Sequence, residues 1–158
     1  MSAGARFAMV PTARLRAHEE VDPVKVEALV GEIRERGSVD EPILIAAGSD
    51  VILNGHHRFA ALRRLGARRV PVWIVAYEDE RIRLERWSEG PRITKAEIVE
   101  HGRRGELYPP KTSRHVIGFE LPERPTPLAE IVGAAANGRP TNRARRGARG
   151  AAIAPRGE

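Results

Sequence analysis

The chain has 158 residues and not one cysteine. That excludes disulfides, thiolate metal sites and cysteine nucleophiles, and it fits a reducing compartment, so a cytoplasmic setting is expected. No apolar run approaches the length needed to span a bilayer. The opening stretch MSAGARFAMVPTARLR lacks a sustained apolar core before a small-residue cleavage site, so no signal peptide is expected. Internal repeats are absent. Acid is nearly missing from one region. Residues 134–158 hold six arginines against the single Glu158, a net +5, which leaves +1 of the chain's +6 for residues 1–133. The body is therefore almost neutral. The tail has almost no large apolar residue and is expected to be disordered. Its basic charge offers weak, non-specific attraction to polyanions at most, so nucleic acid is not an expected partner of the body.

The chain is long enough for one domain with a real core. Residues 11–20 read as a short strand and loop. Asp22 is a helix N-cap with Pro23 at the first helical position. Val26, Leu29, Val30 and Ile33 then share one face, and Gly37 closes the helix. The apolar runs 42–46 and 51–53, around Ala47-Gly48-Ser49-Asp50, predict a hairpin. A second helix runs from Gly55 to Leu65, with Phe59, Leu62 and Leu65 buried and Gly66 as its stop. Residues 70–75 form a strand, and Pro71 points to a sheet edge or a strand beginning. Residues 82–87 form another. Thr94 and Glu97 make a capping box for a helix ending at Gly102 or Gly105. A loop over 107–115, a strand over 116–121 and a short helix over 128–136 complete the pattern. The expected fold is α+β: a compact domain over residues 7–133 with a small mixed sheet and helices on one side, followed by the tail at 134–158.

Two constellations carry chemistry. In the first, a strand delivers the chain to Asn54, Gly55 turns it, and a helix begins at once. Free N–H groups and a partial positive charge make a helix start a phosphate site, and glycine lets an anion approach the backbone. His56, His57 and Arg58 add donors at the same spot, and Arg58 suits bidentate contact with phosphate oxygens. A single histidine there would read as core packing. Two histidines and an arginine after a glycine read as function. The second constellation is Lys111, Thr112, Ser113, Arg114 and His115, stiffened by Pro109 and Pro110. It suits a phosphate or a carboxylate. It equally suits a solvated basic loop. A third feature, His18-Glu19-Glu20, is on its face helix-terminus electrostatics.

The string VILNGHHRFAALRRLGARRVPVWIV resembles the core of the ParB/sulfiredoxin-like superfamily, in which a strand–turn–helix unit holds nucleotide phosphates. LRAHEE at 15–20, NGHHRF at 54–59, Trp87 and YPPKTSRH at 108–115 together resemble its free serine kinases. The resemblance implies a kinase that moves a phosphoryl group from ADP or ATP to L-serine, giving O-phosphoserine for cysteine or related biosynthesis. It implies Glu19 as the general base, with His57 beside it as a catalytic candidate. It places Asn54, Gly55, His56, His57 and Arg58 on the donor phosphates, with Mg²⁺ bridging them. Trp87 and residues 111–115 would shape the acceptor pocket. The family usually carries Asp where this chain has Asn54, and an amide is a weaker Mg²⁺ ligand. A non-catalytic nucleotide- or amino-acid-binding regulator, DNA-associated or not, is the alternative. Sulfiredoxin chemistry requires a cysteine. A partition protein requires helix-turn-helix and dimerisation domains, for which about 130 residues leave no room.

Overall fold

The first long helix shows how closely local chemistry sets the elements. Asp22 Oδ1 accepts from the Val24 N–H at 2.9 Å. Pro23 opens the helix α1 (Pro23–Arg36), and Gly37 ends it in the left-handed region at φ 77°, its N–H returning to the Ile33 carbonyl. Val26, Val30 and Ile33 are buried beneath it.

The computed structural model describes residues 4–87 and 89–133. Strand β1 (Arg6–Pro11) precedes a 3₁₀ turn at Thr12–Arg14 and α1. The strand thus lies ahead of the 11–20 segment in which it was expected. After α1 come β2 (Ser38–Val39), β3 (Ile43–Ala46), β4 (Ile52–Asn54) and helix α2 (His56–Arg64). Then follow β5 (Arg69–Val75), β6 (Ile82–Arg86), α3 (Lys95–Arg104), β7 (Ser113–Ile117), β8 (Thr126–Pro127) and α4 (Leu128–Val132). The basic segment 134–158 lies outside the described residues.

The main sheet is mixed, in the order β1-β5-β3-β4. The hairpin β3–β4 forms as expected, antiparallel, with a bulge between Leu44 and Ile45. β5 is an interior strand, antiparallel to β1 and parallel to β3. Of the two readings of Pro71, the sheet edge is therefore wrong. Pro71 faces Met9 of β1, and pairing with β3 starts only at Val72. A missing N–H is harmless there because no ladder partner lies on the other side.

Both faces of the sheet are covered, which corrects the expectation of helices on one side. Alternate residues of each strand point opposite ways. Ile43, Ile45, Ile52, Val70, Val72 and Ile74 pack with α1, α2 and α4 residues such as Val30, Leu62 and Ile131. Leu44, Ala46, Leu53, Trp73 and Val75 pack with Ile82 of β6, Ile93 and Ile98. Each such fully buried aliphatic side chain contributes about 1.5–3 kcal/mol. The capping box of α3 is present, and Gly105 (φ 71°) is its C-cap. Gly102 instead sits inside the helix, where a Cβ would come 2.7 Å from Val51 Cγ2. β6 and β7 form an antiparallel ribbon in which Leu84 faces His115 and Arg86 faces Ser113. Residues 113–115, expected in a loop, are therefore strand, and the strand expected over 116–121 ends at Ile117.

Candidate active site

β4 ends at Asn54 and α2 starts at His56, so Gly55 alone makes the turn. Its φ is 106° and ψ 25°, and no side chain caps the helix start. The first-turn N–H groups stay available to an anion. Arg58 bends back over this turn. Its Nη2 donates to Glu41 Oε1 at 3.0 Å, and its Nη1 lies 2.6 Å from where a Gly55 Cβ would stand. Gly55→Ala meets both problems. The arginine head group can yield, but an L-residue held at this φ costs about 1–3 kcal/mol. Chemical denaturation should show a stability loss of that size. Unchanged stability would mean that the turn tolerates a side chain.

The two histidines after Gly55 have a bracing role that was not foreseen. His56 Nε2 accepts from the His18 N–H at 3.1 Å, and His57 Nε2 accepts from the Asp22 N–H at 3.0 Å. Each ring is therefore assigned the neutral form with its proton on Nδ1. Burial lowers the pKa of both, that of His56 well below the ordinary value. Together they staple segment 18–22 to the start of α2. What each still offers a ligand is its Nδ1–H.

Segment 18–22 carries Glu19. Tyr108 N–H donates to the His18 carbonyl and Glu20 N–H to the Tyr108 carbonyl, both at 2.8 Å, so the strip is stitched to the second constellation. Glu19 Oε2 accepts from the Lys111 N–H at 2.9 Å, across 92 residues of sequence. Oε1 accepts from the Ser113 N–H at 3.0 Å and from its hydroxyl at 2.9 Å. Lys111 has a positive φ of 60°, rare for a side-chain-bearing residue. The carboxylate is thus oriented by three donors, and Oε2 keeps a free lone pair.

A pocket of about 430 Å³ lies between these parts. Glu19, Asn54 to Arg58, Trp87, Lys111, Ser113, Arg114 and His115 all face it. Thr112 does not. It is buried, with its hydroxyl donating to the Pro109 carbonyl at 2.7 Å. Trp87 is 59% exposed, and the Arg114 guanidinium stacks 4.9 Å from its ring centroid. His115 Nε2 and the Tyr77 hydroxyl share a hydrogen bond of 2.6 Å. Behind the pocket, His18 is fully buried, with its ring 4.5 Å from that of His56 and 6.3 Å from that of His115. Neither ring nitrogen of His18 has a hydrogen-bond partner of good geometry. Burial lowers the pKa of His18 and of His115 to about 4, and the neighbouring Ile52 and Leu53 carbonyls oppose this only in part. Lys25 and Leu29 of α1 also line the pocket and escaped the sequence reading. The available signal was Lys25 in the first turn of a helix that has no acid there.

Comparison with known proteins bears on the family and the fold. Residues 6–86 match the ParB N-terminal domain. The chain is 37% identical over 83 residues to an ATP-dependent L-serine kinase of Staphylothermus marinus, covering 50% of this chain and 33% of that protein. It is 29% identical over 98 residues to an ADP-dependent L-serine kinase of Thermococcus kodakarensis, covering 60% of this chain and 40% of that one. The matched segment thus spans well under half the length of these curated relatives. In three dimensions the chain superposes on a free serine kinase in complex with AMP, with TM-score 0.72 and 20% identity over 83% of this chain and 95% of that one. A truncated SbnI from Staphylococcus aureus gives TM-score 0.65 at 16% identity, over 78% and 88% of the two chains. Those likenesses show a shared fold. The match over residues 6–86, just over half of the chain, places it in the ParB N-terminal domain family.

Proposed function

We propose that residues 7–133 form a phosphotransferase domain that moves a phosphoryl group from ADP or ATP to the hydroxyl of free L-serine. One observation carries the reading: the Glu19 carboxylate, fixed by Lys111 and Ser113, shares a single pocket with the uncapped start of α2. The relatives named as L-serine kinases support the choice of acceptor.

In this reading the donor phosphates lie on the α2 N–H groups, with the Arg58 guanidinium and the Nδ1–H groups of His56 and His57 as further donors. Arg114, stacked on Trp87, holds the serine carboxylate. The serine Oγ attacks the terminal phosphorus. A P–O bond forms, the bond to the leaving AMP or ADP breaks, and the hydroxyl proton passes to Glu19 Oε2. Phosphoryl transfer asks mainly for positioning and charge neutralisation, which these groups supply. His57 positions rather than deprotonates, because its Nε2 already holds the Asp22 N–H.

Among the described residues no three His, Cys, Asp or Glu side chains converge on a metal site. The pocket does present the Asn54 amide oxygen. That fits Mg²⁺ carried by donor phosphates, which needs only one or two protein oxygens. When bound, Mg²⁺ would neutralise charge on the donor phosphates. Asn54→Asp would add a carboxylate there, and a severalfold lower Mg²⁺ requirement for half-maximal rate is expected. An unchanged Mg²⁺ titration would show that position 54 does not meet the metal.

No helix among the described residues is long and apolar enough to cross a membrane. The setting we propose is the cytoplasm, with O-phosphoserine feeding cysteine or related synthesis. Phosphorus NMR of the protein with Mg²⁺, ADP or ATP, and an acceptor tests the reading. L-serine should give a phosphomonoester signal, and L-alanine, which lacks the hydroxyl, should give none. Nucleotide binding without any phosphomonoester would favour a regulatory binding protein, the role that Asn54 in place of a carboxylate would suit.

A further inference from the structure

Lys25 stands in three unfavourable relations at once. It occupies the first turn of α1, where the helix dipole disfavours a cation, and no acid accompanies it there. Its natural counter-charge, Asp22, is turned to the helix cap, where its Oδ1 accepts from Val24. The nearby Lys111 is the largest cause of its lowered pKa. Lys111 is brought there by a backbone in the left-handed region, φ 60°. Lys25 and Lys111 come from elements far apart in sequence, and both face the pocket that holds Glu19, His57 and the start of α2. Two lysines lining one open pocket describe a place for a multiply charged anion.

We propose that Lys25 is a donor-phosphate residue that, with Lys111, grips the terminal phosphoryl group of the nucleotide, the one that is transferred. The proposal rests on the phosphotransferase reading above and extends it to a residue of α1. The location follows from the neighbours. The Lys111 N–H donates to Glu19 Oε2 at 2.9 Å, and Lys25 lines the same pocket, so the pair sits on the Glu19 side of the phosphate site. A phosphoryl group held there faces the base that would take the serine proton. The α2 N–H groups and Arg58 remain for the phosphate or phosphates nearer the nucleoside. Lys25 then distinguishes a donor from the nucleotide one phosphate shorter that leaves after transfer.

Isothermal titration of the full chain with ATP, ADP and AMP in Mg²⁺ tests this, using wild type, Lys25→Gln and Lys25→Arg. Wild type should bind the donor more tightly than the nucleotide one phosphate shorter. Lys25→Gln should shrink that gap by about tenfold or more, the size of one charge-assisted contact, while leaving the shorter nucleotide's affinity in place. Lys25→Arg should restore most of the gap. Lys25 is exposed, so melting temperatures of all three should agree. A gap that survives Lys25→Gln overturns the proposal, as does an equal loss for all three nucleotides, which would mark general attraction. A wild type that binds nucleotides but makes no O-phosphoserine removes the kinase reading while leaving this comparison decisive. A wild type that binds none removes both.

Discussion

Glu19→Gln should cut phosphoryl transfer to serine by about 10²–10⁴-fold, the usual contribution of a general base, while nucleotide affinity changes little. The substitution keeps the shape of the side chain. Its amide oxygen can stay where Oε1 accepts two donors from Ser113. The NH₂ group then falls where Oε2 accepts from the Lys111 N–H. One hydrogen bond is lost, and the oxygen that would receive the serine proton is gone. The start of α2 is tied to segment 18–22 through His56 and His57, whose ring nitrogens accept from backbone N–H groups that the change leaves alone. The effect should therefore appear in kcat, with KM for the nucleotide nearly unmoved. A variant that retains activity within a few-fold of wild type would show that Glu19 is only a brace for the 111–113 segment.

Acid should destabilise the domain well above the pH at which carboxylates titrate. His18 and His115 have folded pKa values of about 4, lowered first by burial, against an ordinary 6.5. Between those values the unfolded chain binds protons that the folded chain refuses, so stability falls as pH drops from about 6.5 toward about 4 and is fully present above 6.5. Each histidine accounts for on the order of 3 kcal/mol across that window, not additively, because the two rings are neighbours. His56 acts in the same direction. Urea denaturation at a series of pH values should show the decline already between about pH 6.5 and 5, where carboxylates contribute little. His18→Leu should flatten it. A midpoint that is constant over that range would contradict the burial of neutral imidazoles.

The parts legible in the sequence were those whose cause is local. Asp22-Pro23 and Gly37 announce both ends of α1, Thr94 and Glu97 announce α3, and Asn54-Gly55 before a helical pattern announces the turn from β4 into α2. Each uses residues within a few positions of one another. What was not legible depends on distant partners. Residues 113–115 became strand because β6 lies beside them. β5 became interior because β1 and β3 both pair with it. The second covered face was hidden because the short β strands give too few alternating residues to show two buried sides. The role of His56 and His57 as braces was invisible for a different reason. Their partners are the backbone N–H groups of His18 and Asp22, which every non-proline residue carries and which leave no mark in sequence. Lys25 was passed over because a charged residue on a helix reads as solvated unless its neighbour in space is known.

The most direct measurement is a mass-spectrometric search for O-phosphoserine after incubating the protein with Mg²⁺, L-serine and either ADP or ATP. O-phosphoserine should accumulate together with AMP or ADP, in equal amounts, and both should disappear with Glu19→Gln. No phosphorylated product from serine, threonine or homoserine with any nucleotide would contradict a phosphotransferase site between Glu19 and the Gly55 turn.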